Sequence, residues 1–354
     1  MSEWSVKRFR DFVKLNRGFD LPNDQMLEGQ YPVVASTNIK GYHNKYKINP
    51  PAVVTGRSGS LGTVQYINDK CVPLNTTLYI KDFKGNNPKF VYYFLQTMHL
   101  EAFNSGAGVP TLNQNHLHSV KLKVPTLPTQ TRIADILSAY DDAIENNNRR
   151  IALLEKAAHQ LYREWFVRMR FPEHENVKIV GGLPEGWEVA KVASVVTLSR
   201  GHDLPIASMI GDKYPVVGSS GVIGLHKAST TKPPVITLGR SGSVGSPNFY
   251  DCECWVHNTA IYAKKLNADP FWIFYMLCQI DYSNLVGGSA VPTLNRNHVE
   301  AQKIAVPPKD VQGKFGEIIS SLFMQKTNMT KQSQNLARQR DLLLPRLMSG
   351  KLEV

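Results

Sequence analysis

The chain repeats itself. At an offset of 183 positions, Trp4 recurs as Trp187, Leu15-Asn16-Arg17-Gly18 with Asp20-Leu21-Pro22 recurs as Leu198-Ser199-Arg200-Gly201 with Asp203-Leu204-Pro205, and Tyr31-Pro32-Val33-Val34 recurs as Tyr214-Pro215-Val216-Val217. Gly56-Arg57-Ser58-Gly59-Ser60 and Asn75-Thr76 return at the same spacing as Gly239-Arg240-Ser241-Gly242-Ser243 and Asn258-Thr259. After one deletion the offset becomes 182, and Val109-Pro110-Thr111-Leu112-Asn113 returns as Val291-Pro292-Thr293-Leu294-Asn295. Matches this collinear require one fold built twice, and 354 residues suffice for two domains with cores of ordinary size.

Each copy holds short β-branched and aromatic runs between Gly, Pro and Asn turns, at Tyr31 to Ser36, Pro51 to Gly56, Leu61 to Ile67 and Asn75 to Ile80 in the first. These predict a mainly β unit. Pro88 to Leu100 and Pro270 to Ile280 predict an apolar helix with proline at its start. Val124-Pro125-Thr126-Leu127-Pro128 and Val306-Pro307-Pro308 predict stiff connectors.

Between the copies, Thr129 to Val167 contains neither Pro nor Gly and predicts one long helix. Its seam alternates by four and three residues: Ile133, Leu137, Tyr140, Ile144, Asn147, Ile151, Leu154, Ala158, Leu161 and Trp165. So narrow a stripe suits contact with a second helix, and Asn147 on it fixes register at some cost in stability. The duplicate seam is Phe315, Ile319, Leu322, Lys326, Met329, Ser333, Leu336, Arg340, Leu343 and Leu347. Leu322, Met329, Leu336 and Leu343 stay apolar, while Lys326, Ser333 and Arg340 are expected at an edge with their stems buried and heads in water. Pro345 is expected to kink or end this helix.

The expected fold is therefore α+β: two duplicated mainly-β domains and two long antiparallel coiled-coil helices in a pseudo-twofold arrangement. From Ile133 to Trp165 the first seam covers 32 rises. At about 1.5 Å each this is about 48 Å, on the order of 14 base pairs.

The formal net charge is +12, and residues 1–128 carry 15 Lys and Arg against 8 Asp and Glu, whereas residues 168–308 carry 13 against 11. Such a balance favours a polyanionic partner, with nucleic acid the commonest. No apolar run is long enough for a membrane span, and Met1-Ser2-Glu3-Trp4 does not resemble a signal peptide, which makes the cytoplasm the expected location. Cys71, Cys252, Cys254 and Cys278 are too few for a disulfide framework and read as reduced thiols. Cys252-Glu253-Cys254 with His257 lacks the second ligand pair of a zinc site, so buried strand positions are expected and no metal.

Gly56 to Gly62 and Gly239 to Gly245 fit neither nucleotide-loop pattern. Two readings remain for Arg57, Ser58, Ser60, Arg240, Ser241 and Ser243: contact with a DNA phosphate, or a glycine-rich hairpin whose Arg stabilises the fold. Lys40, Tyr42, His43, Asn44, Lys45, Tyr46 and Lys47 interleave rings with amines, as suits a DNA-facing loop, with a solvated turn as the alternative. Their counterparts include His226 and Lys227. Val109 to Asn113 predicts a fold-closing corner, and His116 and His298 predict hydrogen-bonded structural histidines. Asn49-Pro50-Pro51 resembles part of the adenine methyltransferase signature, but Ala52 stands where an aromatic is needed and the copy reads Lys232-Pro233-Pro234. No nuclease or hydrolase constellation is visible, so no catalytic residue is expected.

Duplicated β units carrying Gly-Arg-Ser-Gly-Ser and Val-Pro-Thr-Leu-Asn, each followed by a Pro-bounded long helix, resemble the DNA specificity subunit of type I restriction-modification systems. Leu343-Leu344-Pro345-Arg346-Leu347-Met348-Ser349-Gly350-Lys351-Leu352 is similar to that family's usual ending. The resemblance implies that 1–128 and 168–308 are two target recognition domains, with 129–167 and 309–354 as conserved helices. It implies double-stranded DNA, two modification subunits and restriction subunits as partners, with the seam residues contributing to spacer and partner contacts. It implies no cofactor in this chain, since S-adenosylmethionine, ATP and Mg would belong to the partners. The rivals are a stand-alone methyltransferase or nuclease, and a duplicated adaptor that binds no nucleic acid.

Overall fold

The strand Ala52–Gly56 is buried at every position, as its unbroken small and β-branched sequence requires of a strand covered on both faces. It occupies the interior of an antiparallel sheet ordered Lys14–Arg17, Thr77–Asp82, Ala52–Gly56, Val64–Ile67. A second sheet joins Ile39–His43, Tyr31–Val34 and Val72–Pro73, the last pair parallel, and Ser5–Arg8 pairs with Lys121–Val124 where the domain closes. The second copy repeats this order strand for strand, with Val196–Arg200, Ala260–Leu266, Val235–Gly239 and Pro247–Tyr250 in the larger sheet. Its smaller sheet is Gly221–His226, Tyr214–Gly218 and Trp255–Val256, and its closing pair is Glu188–Lys191 with Lys303–Val306. Pro50-Pro51 and Pro233-Pro234, both cis, lead into the two interior strands.

The computed structural model describes residues 4–106, 108–287 and 292–354; Met1-Ser2-Glu3 and Val291 lie outside them. The chain divides into two units, unit 1 being Met1–Asn148 with Thr330–Val354 and unit 2 being Arg149–Met329. Each unit thus takes half of each long helix. Unit 1 packs Ile133, Ala134, Leu137, Leu347 and Met348 from the helices against Phe9, Phe12, Phe90 and Phe94. Unit 2 packs Ala158, Tyr162, Trp165, Phe166, Phe315 and Ile319 against Trp272, Ile273 and Tyr275.

The first long helix spans Leu127–Tyr162 and continues as a π-helical turn over Arg163–Val167. It starts two residues before the sequence expectation, because Pro128 falls in the first turn, where the missing N–H has no helical partner to lose. A buried glutamine holds this start: Gln130 Oε1 accepts from the Asn87 N–H, while its Nε2 donates to Asn86 and to the Pro125 carbonyl. Gln312 repeats the device in unit 2, accepting from Asp269 N–H and donating to the Pro307 carbonyl. Asn87 and Asp269 in turn cap the short helices Pro88–Gln96 and Pro270–Leu277. The first of these ends before Leu100, because His99 is left-handed (φ 49°) and a 3-10 turn over Leu100–Phe103 follows.

The second long helix spans Lys309–Met348 and runs three residues past Pro345, instead of ending there. No member of the first seam is fully exposed. In unit 1 the two helices run antiparallel, with Asn147 Nδ2 donating to Gln332 at 3.2 Å and Arg340 paired with Asp141. In unit 2 Lys326 Nζ lies 2.6 Å from Glu155. Lys326 and Arg340 thus sit at a partly exposed edge, as expected, and differ from expectation in being paired. Their cationic heads remain partly exposed but meet carboxylates placed one residue beside the first helix's seam.

Three smaller expectations are corrected. Cys71 and Cys254 are buried, but Cys252 is exposed on the turn before Trp255. His116 and His298 point outward, and the structural role falls to neighbouring positions. His118 Nε2 accepts the Leu15 N–H at a β-bulge in unit 1, and Glu300 Oε1 accepts the Leu198 N–H at the equivalent bulge in unit 2.

Candidate nucleic-acid interface

The glycine-arginine loops are built by backbone bonds. Arg57 and Ser58 N–H both donate to the Thr76 carbonyl, Gly59 N–H to Pro110 and Leu112 N–H back to Arg57. In unit 2 Arg240 and Ser241 donate to Thr259, and Leu294 N–H donates to Arg240. Val109 to Asn113 is thus the expected corner, closed onto this loop in unit 1, and the described part of its copy, from Pro292 to Asn295, closes in the same way through Thr293 and Leu294. A Cβ on Gly56 or Gly239 would lie within 2 Å of a carbonyl oxygen across the loop. Gly59 and Gly242 have φ of 86° and 83°, which L side chains rarely adopt. The loop's glycines are conformational requirements, whichever ligand its arginine meets.

The guanidinium of Arg57 is half-buried and donates through Nη1 to the Asn75 carbonyl at 3.3 Å, as Arg240 does to Asn258 at 3.5 Å. Asn75 Nδ2 donates to Asp20, which also pairs with Arg17; in unit 2 Asn258 donates to Asp203, which pairs with Arg200. Both halves of the chain hold the same four-residue network. Ser36 Oγ ties this loop to the smaller sheet by donating to the Ser58 and Thr76 carbonyls. Ser60 and Ser243 are exposed at the loop tips, and Ser58 and Ser241 are half-buried beneath them.

The second group of sequence-singled residues lies on the strand Ile39–His43 and the segment after it. Lys40, Tyr42, Asn44, Lys45 and Lys47 are exposed. Tyr46 is held between Tyr31, edge-on at 5.2 Å, and Lys70, whose ammonium stands 4.5 Å over its ring. Lys47 lies over Phe19, and Lys40 Nζ donates to Asn23. His43 is buried, and its Nδ1 accepts the Leu27 N–H.

In unit 2 the same strand has another character. His226 is buried, 3.4 Å from the Ile210 N–H through Nδ1 and edge-on to Trp255, so it braces the hairpin and is not presented to a ligand. Lys227 is exposed. Ile206, Ile210, Val222, Ile223 and Leu225 form an apolar outward face, each between 44% and 84% exposed. Their counterparts in unit 1 are Asn23, Leu27, Ile39, Lys40 and Tyr42.

Sequence reasoning passes over Arg17, Arg200 and Arg296. Arg200, Arg240 and Arg296 line one cavity of about 440 Å3 in unit 2, together with Ser199, Thr293 and Asn295. The signal for two of these arginines is in the repeat itself, since Arg17-Gly18 and Arg200-Gly201 keep their place before Asp20 and Asp203. Among the described residues no three His, Cys, Asp or Glu side chains gather as metal ligands, and no helix is long and apolar enough to cross a membrane.

The family model described as the type I restriction modification DNA specificity domain matches residues 1–156 and again 184–338. The specificity subunit of the type I restriction enzyme MjaIX from Methanocaldococcus jannaschii is 25% identical over 412 aligned positions, covering 99% of this chain and 94% of that one. The HindI specificity subunit of Haemophilus influenzae is 20% identical over 332, covering 69% and 71%. Among solved structures, the S subunit of a type I restriction-modification system from M. genitalium superposes with a TM-score of 0.65 at 18% identity, over 98% of this chain and 96% of that one.

Proposed function

The chain belongs to the type I restriction modification DNA specificity family, and on that premise we propose that it is the non-catalytic subunit that chooses the DNA sequence on which a methyltransferase and restriction complex acts. The observation that carries the proposal is the paired fold: two units of one topology keep the same arginine network and differ on one outward strand. Each unit would read a few base pairs, so the target is bipartite, with unspecified bases between.

In unit 1 the reading edge is Lys40, Tyr42, Asn44, Lys45 and Lys47, whose donors and rings suit base edges and phosphates. In unit 2 it is the aliphatic face around Ile223 and Leu225, beside Lys227. Aliphatic groups in a major groove find one apolar feature to contact, the thymine methyl. Arg57, Ser58, Ser60, Arg240, Ser241 and Ser243 lie on loops whose glycines permit close approach to a phosphate. His226 enters only as support for its hairpin.

The long helices supply the spacing and the platform. A helix of 36 residues is about 54 Å long at about 1.5 Å per residue, and its length sets the gap between half-sites. Two modification subunits would dock on the helices and bring S-adenosylmethionine, and restriction subunits would bring ATP and Mg, all in the cytoplasm. Methylome sequencing of the host with and without the gene tests this reading: a split adenine motif disappears with the gene. Methyl transfer by the purified chain alone would establish an enzyme instead. DNA affinity that barely changes between low and physiological salt would favour an adaptor.

A further inference from the structure

Three guanidinium groups line one cavity in unit 2, and no carboxylate is among its described lining residues. Arg200 comes from the end of its strand, Arg240 from the glycine-arginine loop, and Arg296 from the start of the short helix that Asn295 caps. Side-chain bonds fix all three: Arg200 to Asp203 at 3.4 Å, Arg240 to the Asn258 carbonyl, and Arg296 Nη1 to the Leu198 carbonyl at 3.2 Å. Asp203 pairs with Arg200, and Glu300, which accepts the Leu198 N–H and keeps its charge, stands outside the cavity lining. Arg240 and Arg296 donate to backbone carbonyls, which leave their charges in place, and Ser199, Thr293 and Asn295 add small polar groups beside them. Guanidinium forks bind phosphate oxygens in bidentate fashion, and like charges held this close favour entry of an anion.

The repeat narrows the ligand. Unit 1 keeps Arg17 and Arg57 with the same Asp20 and Asn75 partners, while the outward strand of the hairpin has changed almost completely. A group kept in both readers recognises something both half-sites share. Every DNA site shares its phosphates. We infer that the Arg200, Arg240 and Arg296 cavity grips one backbone phosphodiester beside the second half-site, and that Arg17 and Arg57 do so less strongly beside the first. Position 114, the counterpart of Arg296, is a neutral glutamine. Unit 2 thereby recovers the electrostatic attraction that its aliphatic reading face lacks. The inference rests on the DNA-reading function proposed above.

The test is DNA binding as a function of salt, with the full chain co-purified with its modification subunits. For Arg296→Gln the slope of log affinity against log salt falls by about 0.9, the value of one phosphate contact on duplex DNA. At physiological salt binding weakens about tenfold, as loss of one charge-assisted hydrogen bond implies. The loss is equal for target and unrelated DNA, and the methylated motif is unchanged. Arg296→Lys, which keeps the charge, retains the slope; this separates phosphate contact from damage to the helix start.

An Arg296→Gln protein with the wild-type slope, or one weakened on target DNA alone, overturns the inference while leaving the specificity function intact. Wild-type protein without salt-dependent DNA binding would sink the function itself. Inorganic phosphate titrated into the DNA-free complex distinguishes a backbone phosphodiester from a free anion. Saturable micromolar binding lost in Arg296→Gln would make this a phosphate-ion site and overturn the assignment to DNA.

Discussion

The hairpin ending at His43 and the one ending at His226 share a backbone and almost nothing on their outward faces. Both pair the same two strands, shift register at the same point, between Val33 and Val34 or Val216 and Val217, and bury a histidine beside the N–H of a loop sixteen residues earlier. Outside, Lys40 and Tyr42 of unit 1 stand where Ile223 and Leu225 stand in unit 2. Underneath, the Arg-Asp-Asn-Arg network is unchanged. Residues that hold the hairpin and residues that face outward have thus been free to change independently, as a specificity module requires.

The helices draw the same contrast, polar in unit 1 and apolar in unit 2, at one pair of positions. The Asp141 and Arg340 pair of unit 1, which also receives the Tyr93 hydroxyl, occupies the positions that hold Phe323 and Ala158 in unit 2. There Phe323 packs edge-on against Phe249 at 4.9 Å. At these positions unit 1 joins its two helices through a half-buried ion pair, whereas unit 2 turns Phe323 onto its globular domain and joins its helices elsewhere, through Lys326 and Glu155.

Exchanging Ile39-Lys40-Gly41-Tyr42 for the residues of Val222 to Leu225 should have the largest effect. Two base contacts at about 1–3 kcal/mol each are lost, and the first half of the methylated motif changes. Methylome sequencing reads this directly, and an unaltered first half would place base reading elsewhere. Next, Arg340→Ala leaves Asp141 without its cation and should cost about 1–3 kcal/mol. The triple change Tyr93→Phe, Asp141→Phe and Arg340→Ala should return to within about 1 kcal/mol of wild type, because it removes the ion pair together with the hydroxyl that Asp141 accepts, and apolar replacement of an ion pair is often close to neutral. Melting of both variants settles whether apolar residues can replace the ion pair between the helices.

Replacing thymine by uracil should weaken binding by about fourfold per contacted methyl, at about 0.8 kcal/mol each, and only in the half-site of unit 2. Equal loss in both halves would remove the proposed difference between the reading faces. The smallest effect is on acid sensitivity. Burial, and then the charges of Lys14 and Arg10, hold the His118 imidazole below its ordinary value, so the folded chain prefers it neutral. Its contribution to stability is complete above about pH 6.5 and is lost as pH falls from there through the lowered folded value, because the unfolded chain takes the proton first. His118→Glu, which copies Glu300, should flatten melting temperature against pH between about 5 and 7.

The repeat alone makes the domain plan legible, and the matched motifs fall on matched strands, loops and caps. The seam of the first helix is equally legible, since its 4-3 spacing follows from helix geometry alone. The second helix is not. Lys326 and Arg340 look unpaired in the sequence because Asp141 and Glu155, their partners, are more than 170 positions away in the chain and off the expected seam. His226 looks presentable beside Lys227, because alternation along one strand cannot reveal which loop folds over it. Gln130 and Gln312 give no periodic signal at all, and their role exists only where a connector, a cap and a helix start meet.

The amino-acid sequence by itself determined the duplication, the β character of each half, the two long helices and the family. Each follows from local period, turn chemistry or internal identity, which survive without knowledge of contacts. Only the tertiary structure decided which polar groups face outward and which are consumed in holding the chain. Burial of a charged or imidazole group depends on a partner brought by folding from elsewhere. The three arginines of unit 2 show this, since a strand end, a loop and a helix start, distant in the chain, become one cavity when the corner closes.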